Sequence, residues 1–238
     1  MIESAYTIDP KIVKQICYFV GCKTKDLNCI RKLITYKNIS KGEVFMIEGH
    51  WCDYLYFVIS GVVKVYKTSH DGRQQILHIA RFGDSLNDVS TFDKSPNAAS
   101  MLAMTPVLLY GIKKTDLDTI LFKYPKIAEN ACRILASRVR RDSDLIEVIS
   151  LHQVVNRIAN ALLKYFGEQI EFGLRFTQQD IADMVGTSGE MVNKSLKEME
   201  ERKAIKIDRN GIIILNKEIL EQIAKFYPLM RRRKENLD

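Results

Sequence analysis

The spacing of apolar positions changes along the chain, and each change predicts an element. Over residues 2–36 the period is helical: Ile12, Val13, Ile16, Phe19 and Val20 share one face, and Leu27, Ile30, Leu33 and Ile34 the next. From Leu33 to Ile112 it shortens to that of strands. EVFMI, YLYFVIS, VVKVYKT, QQILHIA, ASMLAM and VLLYGI are short and β-rich. Lys41-Gly42, Glu48-Gly49, Ser60-Gly61, Asp71-Gly72 and Phe82-Gly83 punctuate them. Short strands at this rhythm predict an all-β barrel or roll, with Asp71-Gly72 as the strongest hairpin signal.

Helical spacing then returns. Lys114 to Phe122 predicts a short helix, and Pro125 opens a long one over Lys126 to Ile149. In it Ala128, Cys132, Leu135, Val139, Asp142, Ile146 and Ile149 alternate by four and three. That is a seam of about three heptads, suited to a parallel two-fold coiled coil in which Asp142 fixes register. Arg157 to Phe166 (NRIANALLKYF within 156–166) predicts another amphipathic helix.

The stretch Thr177 to Lys203 reads as two helices and a tight turn. Thr177 N-caps the first, with Asp180 in its first turn and Ile181, Ala182, Met184 and Val185 facing inward. Gly186 ends it, and Thr187 or Ser188 caps the second. There Val192, Ser195, Leu196 and Met199 face inward, opposite Glu190, Asn193, Lys194 and Lys197. A helix-turn-helix with a polar outer face is the shape that enters a DNA major groove. Ala204–Ile207 and Ile212–Leu215 flank Asp208-Arg209-Asn210-Gly211, a hairpin or "wing" with Asn-Gly at its turn. A last helix runs from Lys217 to Phe226, Pro228 ends it, and the basic run Arg231-Arg232-Arg233-Lys234 follows.

Composition adds limits. The net charge is +7, but residues 151–238 hold 15 Lys+Arg against 13 Asp+Glu, a net of only +2. The basic excess is not concentrated in the predicted reader, so charge supports nucleic-acid binding weakly. No run of about 18 apolar residues exists, so no membrane span is expected. Five cysteines without a secretory signal suggest reduced thiols and a cytoplasmic protein. Cys17, Cys22 and Cys29 raise an iron–sulfur question, but C-x4-C-x6-C lacks a tight pair and fits buried packing better. No nucleophile–base constellation, phosphate-binding glycine loop or metal-ligand spacing appears, so no enzyme is expected.

The order of roll, long helix and winged helix-turn-helix, with its motifs, resembles the cyclic-AMP receptor protein/FNR (CRP/FNR) family of bacterial transcription regulators. KGEVFMIEG, LYFVISGVVKVYKTSHDGRQQILHI, FGDSLNDVSTFD, NRIANALL and TQQDIADMVGTSGEMVNKSLKEMEERKAI carry the likeness over about Leu27 to Leu220. The resemblance implies an α+β protein: a cyclic-nucleotide-binding-like β-roll (jelly roll) with N-terminal helices over 1–125, a dimerisation helix over 126–150, and a winged helix-turn-helix over 151–238. It implies a homodimer on double-stranded DNA with an inverted-repeat site, and RNA polymerase as a partner.

The same resemblance places the DNA contacts at Gln178, Ser188, Gly189, Glu190, Asn193, Lys194 and Lys197. The family pattern S-R-E-T-V-x-R here reads Ser188-Gly189-Glu190-Met191-Val192-Asn193-Lys194. Glu190 can accept from a cytosine amino group, or act as the third-position member of a capping box with Thr187. Lys194 lacks the bidentate fork of arginine, and Gly189 cannot make the guanine contact of the cyclic-AMP branch. The effector pocket is expected at Asn87, Asp88, Asn97, Ala98, Ala99, Ser100, Asp142 and Ser143. Asn87-Asp88 replaces the family's Gly-Glu pair and Asn97-Ala98 its Arg-Ser pair, and no Arg or Lys lies between Lys94 and Lys113. Cyclic AMP in the family's mode is therefore not expected, since a buried phosphate needs a cationic partner. A different small-molecule effector is the expectation. An iron–sulfur cluster with Cys52 or Cys132 as fourth ligand, or haem on His78, is less favoured. The alternative reading is a ligand- or redox-sensing protein whose DNA reader has degenerated, with Gly189 and Lys194 as its motivation.

Overall fold

The computed structural model describes residues 8–165, 176–208 and 211–225. Its contacts form two compact units, Met1–Thr68 with Leu77–Asp142, and Ser69–Ile76 with Ser143–Asp238. The long helix passes from one to the other.

Two four-stranded sheets form the roll. One has the order β1 (Thr35–Ile39), β8 (Val107–Lys113), β3 (Tyr54–Ser60), β6 (Ser85–Leu86). The other has β2 (Val44–Met46), β7 (Ser100–Ala103), β4 (Val63–Thr68), β5 (Gln74–Ala80). Strand β3 shows why YLYFVIS is almost wholly apolar. Val58 packs inside the roll with Met46, Val63, Leu86, Met101 and Leu109. Leu55, Phe57 and Ile59 point the other way, onto the helices. Both faces are buried, so alternation of polarity disappears. Strand β8 repeats this, with Leu109 inward and Tyr110 and Ile112 on the helical side. At the β3–β4 turn Gly61 has φ +86°, and a Cβ there would strike the Pro106 carbonyl, so no other residue fits.

The helical layer comprises α1 (Pro10–Gln15), α2 (Thr24–Ile30), α4 (Lys114–Lys123) and the first half of α5 (Pro125–Leu151); α3 (Asp88–Phe92) is a short turn after β6. The expected helical run over residues 2–36 is interrupted. Asp9 caps α1, the chain goes extended at Ile16, a 3-10 turn covers Cys17–Phe19, and Gly21 turns at φ +76°. The breaks let Ile16, Tyr18 and Phe19 all reach the core, which one helix face could not do. Thr35 and Tyr36 already belong to β1, paired with Gly111 and Tyr110. Asn130 on α5 donates to the carbonyls of Tyr18 and Val20, both at 2.9 Å, and fastens the helix to this segment. No helix among the described residues is long and apolar enough to cross a membrane.

The second unit holds the end of α5, then α6 (Val154–Tyr165), α7 (Gln178–Val185), α8 (Gly189–Glu201), the hairpin β9 (Ile205–Asp208) and β10 (Gly211–Ile214), and α9 (Lys217–Ile223). Gly211 pairs with Asp208, so it is a strand residue rather than part of the expected Asn-Gly turn. Arg209, Asn210, Phe166, Phe226, Pro228 and the basic run Arg231 to Lys234 lie outside the described residues.

Phe57 is fully buried and meets the rings of Tyr18 and Phe19 at 5.2 and 5.5 Å. Phe57→Ala is expected to destabilise the first unit by about 3–5 kcal/mol, read by urea denaturation. A loss below about 1 kcal/mol would show that this contact is not central.

Candidate functional site

The reader is assembled by caps at each end of its two helices. The Thr177 hydroxyl accepts from the Asp180 amide at 3.0 Å while Asp180 accepts from the Thr177 amide at 2.9 Å, a closed capping box. Gly186 ends α7 at φ +66°. Ser188 caps α8, accepting from the Met191 amide at 3.3 Å. This corrects one expectation: with Ser188 as cap, Glu190 stands at the second helical position and Met191 at the third, so Glu190 closes no capping box with Thr187. Its carboxylate is exposed in the first turn, where the helix dipole favours it.

Val192, Ser195, Leu196 and Met199 are buried beneath α8, while Glu190, Asn193, Lys194 and Lys197 are exposed on it and Gln178 on α7. A Cβ added at Gly189 would come no nearer than 4.0 Å to Gln179 Oε1. Open space surrounds this position, so its lack of a side chain is not imposed by packing.

Sequence reasoning missed the group that holds the turn. Arg157 on α6 donates through Nη1 to the Val185 carbonyl at 2.6 Å and to that of Gly186 at 3.4 Å, satisfying the orphan end of α7. In the sequence, NRIANALL signals only an amphipathic helix at this position. The wing is tied to the reader by Glu200, whose Oε1 accepts from the Ile207 amide at 2.8 Å.

Four of the expected effector residues, Asn87, Asp88, Asn97 and Ser100, are bonded to the chain itself. Asn87, at φ +71°, donates to the Tyr54 carbonyl at 3.1 Å. Asn97 donates to the Ile47 carbonyl at 3.0 Å, and the Ser100 hydroxyl accepts from the Glu48 amide at 3.0 Å. Ala99 is buried and Ala98 exposed. Asp142 and Ser143 are exposed on α5. Asp88 is completely buried. Tyr18 donates to its Oδ1 at 2.5 Å, and Arg138 Nη2 of α5 lies 2.6 Å from its Oδ2. That second contact is a charge contact, too poorly aligned for a hydrogen bond. Burial, then the Asp88 charge, holds the Tyr18 phenol well above its ordinary range, so it remains a donor.

A cavity of about 220 Å³ opens elsewhere on the same unit, lined by Trp51, Asp53, Thr91, Lys94, Lys114 and Asp118 among others. Sequence reasoning did not anticipate it.

The thiols show no shared site. Burial pushes Cys17 up to about 11 and also raises Cys22, which disfavours the thiolate that a metal requires. All five are unpaired, and no group of three or more His, Cys, Asp or Glu that could hold a metal stands among the described residues. His78 Nε2 lies 3.2 Å from Asp84 Oδ2 and is committed there.

Comparison with known proteins fits this architecture. The family model for the cyclic nucleotide-binding domain matches residues 36–124, and that for the Crp-like helix-turn-helix domain matches 156–223. The "CRP-like cAMP-activated global transcriptional regulator" of Mycobacterium tuberculosis is 30% identical over 222 residues, covering 90% of this chain and 99% of that protein. The chain belongs to the CRP/FNR family. It is a DNA-binding transcriptional regulator of that type, with a cyclic-nucleotide-binding-type sensing domain. The fumarate and nitrate reduction regulatory protein of Vibrio cholerae is 25% identical over 221 residues, 89% of this chain and 88% of its own. Among solved structures, FixK2 from Bradyrhizobium japonicum superposes with a TM-score of 0.68 at 20% identity, covering 80% of this chain and 96% of that one. A CRP/FNR regulator from Thermus thermophilus gives 0.68 at 21%, covering 80% and 98%. These CRP/FNR structures share the fold described here.

His78 also gives this CRP/FNR chain a pH signature. Its pKa is lowered, first by burial, with Arg141 and Arg138 adding and Asp84 opposing. A histidine buried neutral contributes stability above its unfolded pKa of about 6.5, and that stability is lost as pH falls below it. Wild type should therefore lose melting temperature, as pH falls below about 6.5, more steeply than His78→Gln, which cannot titrate. Parallel curves for the two proteins would refute this role.

Proposed function

We propose that this regulator acts in the cytoplasm as a homodimer on an inverted-repeat DNA site, with α8 in the major groove of each half-site. One observation supports it above all: α8 is buried on one face, capped at Ser188, and presents Glu190, Asn193, Lys194 and Lys197 outward. Glu190 and Lys194, one turn apart, address base edges. Asn193 and Lys197, with Gln178 and Ser188, address sugar and phosphate. Gly189 leaves its base pair to be specified by shape. The proposed division is sensing roll 1–125, dimer helix 126–150 and reader 151–238. RNA polymerase is the proposed protein partner by family likeness, and the action is binding rather than catalysis.

The dimer seam is supported by α5 itself. Ile127, Asn130 and Ala131 are buried within their own unit, while Val139 and Ile146, each 66% exposed, and Cys132 lie along the heptad line with Leu135. A monomer would leave this stripe in water; a second copy covers it. For control, cyclic AMP in the family's mode is not supported. Asn97 stands where the family has arginine, the Arg138 guanidinium at the cassette is already engaged with Asp88 and Ser85, and Asn87, Asp88, Asn97 and Ser100 already hold partners within the same unit. That favours control through the junction of roll and α5 over capture of a nucleotide by these side chains.

Duplex selection followed by binding assays at two salt concentrations tests the reader. Glu190→Ala should relax preference at one base pair per half-site, a loss of about 1–3 kcal/mol of discrimination. Lys197→Ala should weaken all sequences evenly and reduce the salt slope by about one per subunit. If Glu190→Ala selects the same sequences as wild type, the reading face is misassigned.

Leu135→Asp with Val139→Asp should yield a folded monomer by sedimentation and abolish tight binding to the inverted repeat. A double variant that remains dimeric would place the interface elsewhere.

A further inference from the structure

Asp88 draws three distant segments to one point. Tyr18 reaches it from the N-terminal turn, Arg138 from α5, and Asp88 itself opens the short α3 after β6. Beside this charge contact, Arg138 donates hydrogen bonds to the Ser85 hydroxyl at 3.0 Å and to the Ser85 carbonyl. The guanidinium thus grips the β6–α3 corner at two residues. A slide of α5 by one residue, or a rotation, would break all of these contacts together. A buried ion pair is a poor source of net stability, because desolvation cancels most of the attraction. Such a pair can instead fix register.

The position of Arg138 on α5 gives that register a consequence. Its neighbours Leu135 and Val139 belong to the proposed dimer seam, and the helix runs unbroken past Asp142 to Leu151, into the unit that carries the reader. The cassette of Asn87 and Asp88 is where the family resemblance puts an effector. In this chain the cation that fills the seat at Asp88 belongs to the dimer helix.

We propose that Arg138 is a built-in ligand: by gripping Asp88 it sets α5 on the roll in the DNA-binding register, without any small molecule. Arg138 is a positioning residue, and the inference rests on the proposed reader. Other charged groups at the junction are His78, Asp84 and Arg141. They shape its field but are not the grip.

The test uses the full-length dimer and a selected inverted-repeat duplex. Wild type stripped of small molecules by unfolding and refolding, and verified by native mass spectrometry, should bind DNA as tightly as untreated protein. Asp88→Asn keeps the shape and an acceptor for Tyr18 but loses the charge. It and Arg138→Ala should each lose about tenfold or more in DNA affinity, with circular dichroism showing folded protein at the assay temperature. Millimolar methylguanidine, which can refill the vacated seat, should restore Arg138→Ala. Methylammonium should not, and neither should rescue the Asp88→Asn, Arg138→Ala double variant. A merely structural arginine would give no such selective rescue. If Arg138→Ala unfolds, the paired Asp88→Leu, Arg138→Leu variant, which buries no lone charge, gives the same affinity comparison. Stripped wild type that no longer binds DNA, Arg138 variants that bind as well as or better than wild type, or absence of guanidine rescue would each overturn the proposal. Wild type that retains no duplex even at low salt would instead sink the reader on which it rests.

Discussion

Strands β3 and β8 are buried on both faces, and the first unit depends on that constraint. Their inward residues, such as Val58 and Leu109, close the roll. Their outward residues, Leu55, Phe57, Tyr110 and Ile112, receive α1, α2, α4 and the start of α5 through Val13, Leu27, Leu117, Ile120 and Ile127. A two-sided strand pair cannot shift by one residue without exchanging its two cores. The place where α5 leaves the roll is therefore fixed by apolar packing before any charge is considered.

Charge then refines what packing has placed. Asp88, Tyr18 and Arg138 occupy a buried corner where water cannot substitute for a missing partner. In the reader, polar groups do a different task at the surface. Thr177, Asp180, Ser188 and Arg157 satisfy backbone groups at helix ends, so that the exposed side chains of α8 project from a rigid frame. In both places, specific geometry comes from a few directed polar contacts set on a nonspecific apolar base.

The reader was the most legible part of the sequence because its signals are local. A threonine with aspartate three residues on, a glycine stop and a 3.6-residue apolar period all lie within one short stretch, and each appears in the structure. Strand β1 was hard to see because TYKNI is exposed except at Ile39 and carries no alternation. The N-terminal segment misled because Val13, Ile16 and Phe19 have helical spacing, yet Ile16 and Phe19 reach the core from broken turns, together with Tyr18, which that spacing leaves out. The role of Arg138 was invisible for another reason. No Arg or Lys lies between Lys94 and Lys113; the cation at Asp88 comes from a helix fifty residues on, and only tertiary structure joins them.

The hydrogen bonds of Arg157 bear on how such a reader could be moved between proteins. The end of α7 is finished by a side chain from α6, outside the two helices that define the motif. Asn156 on the same helix donates to the Ile223 carbonyl at 2.7 Å, so α6 also carries α9. A peptide or chimera containing only residues 177–203 would leave the Val185 carbonyl unfinished and the apolar underside of α8 bare. The smallest transplantable DNA-reading module in this chain therefore begins at α6, and recombination or protein engineering that cuts between α6 and α7 would separate the motif from its own fastening.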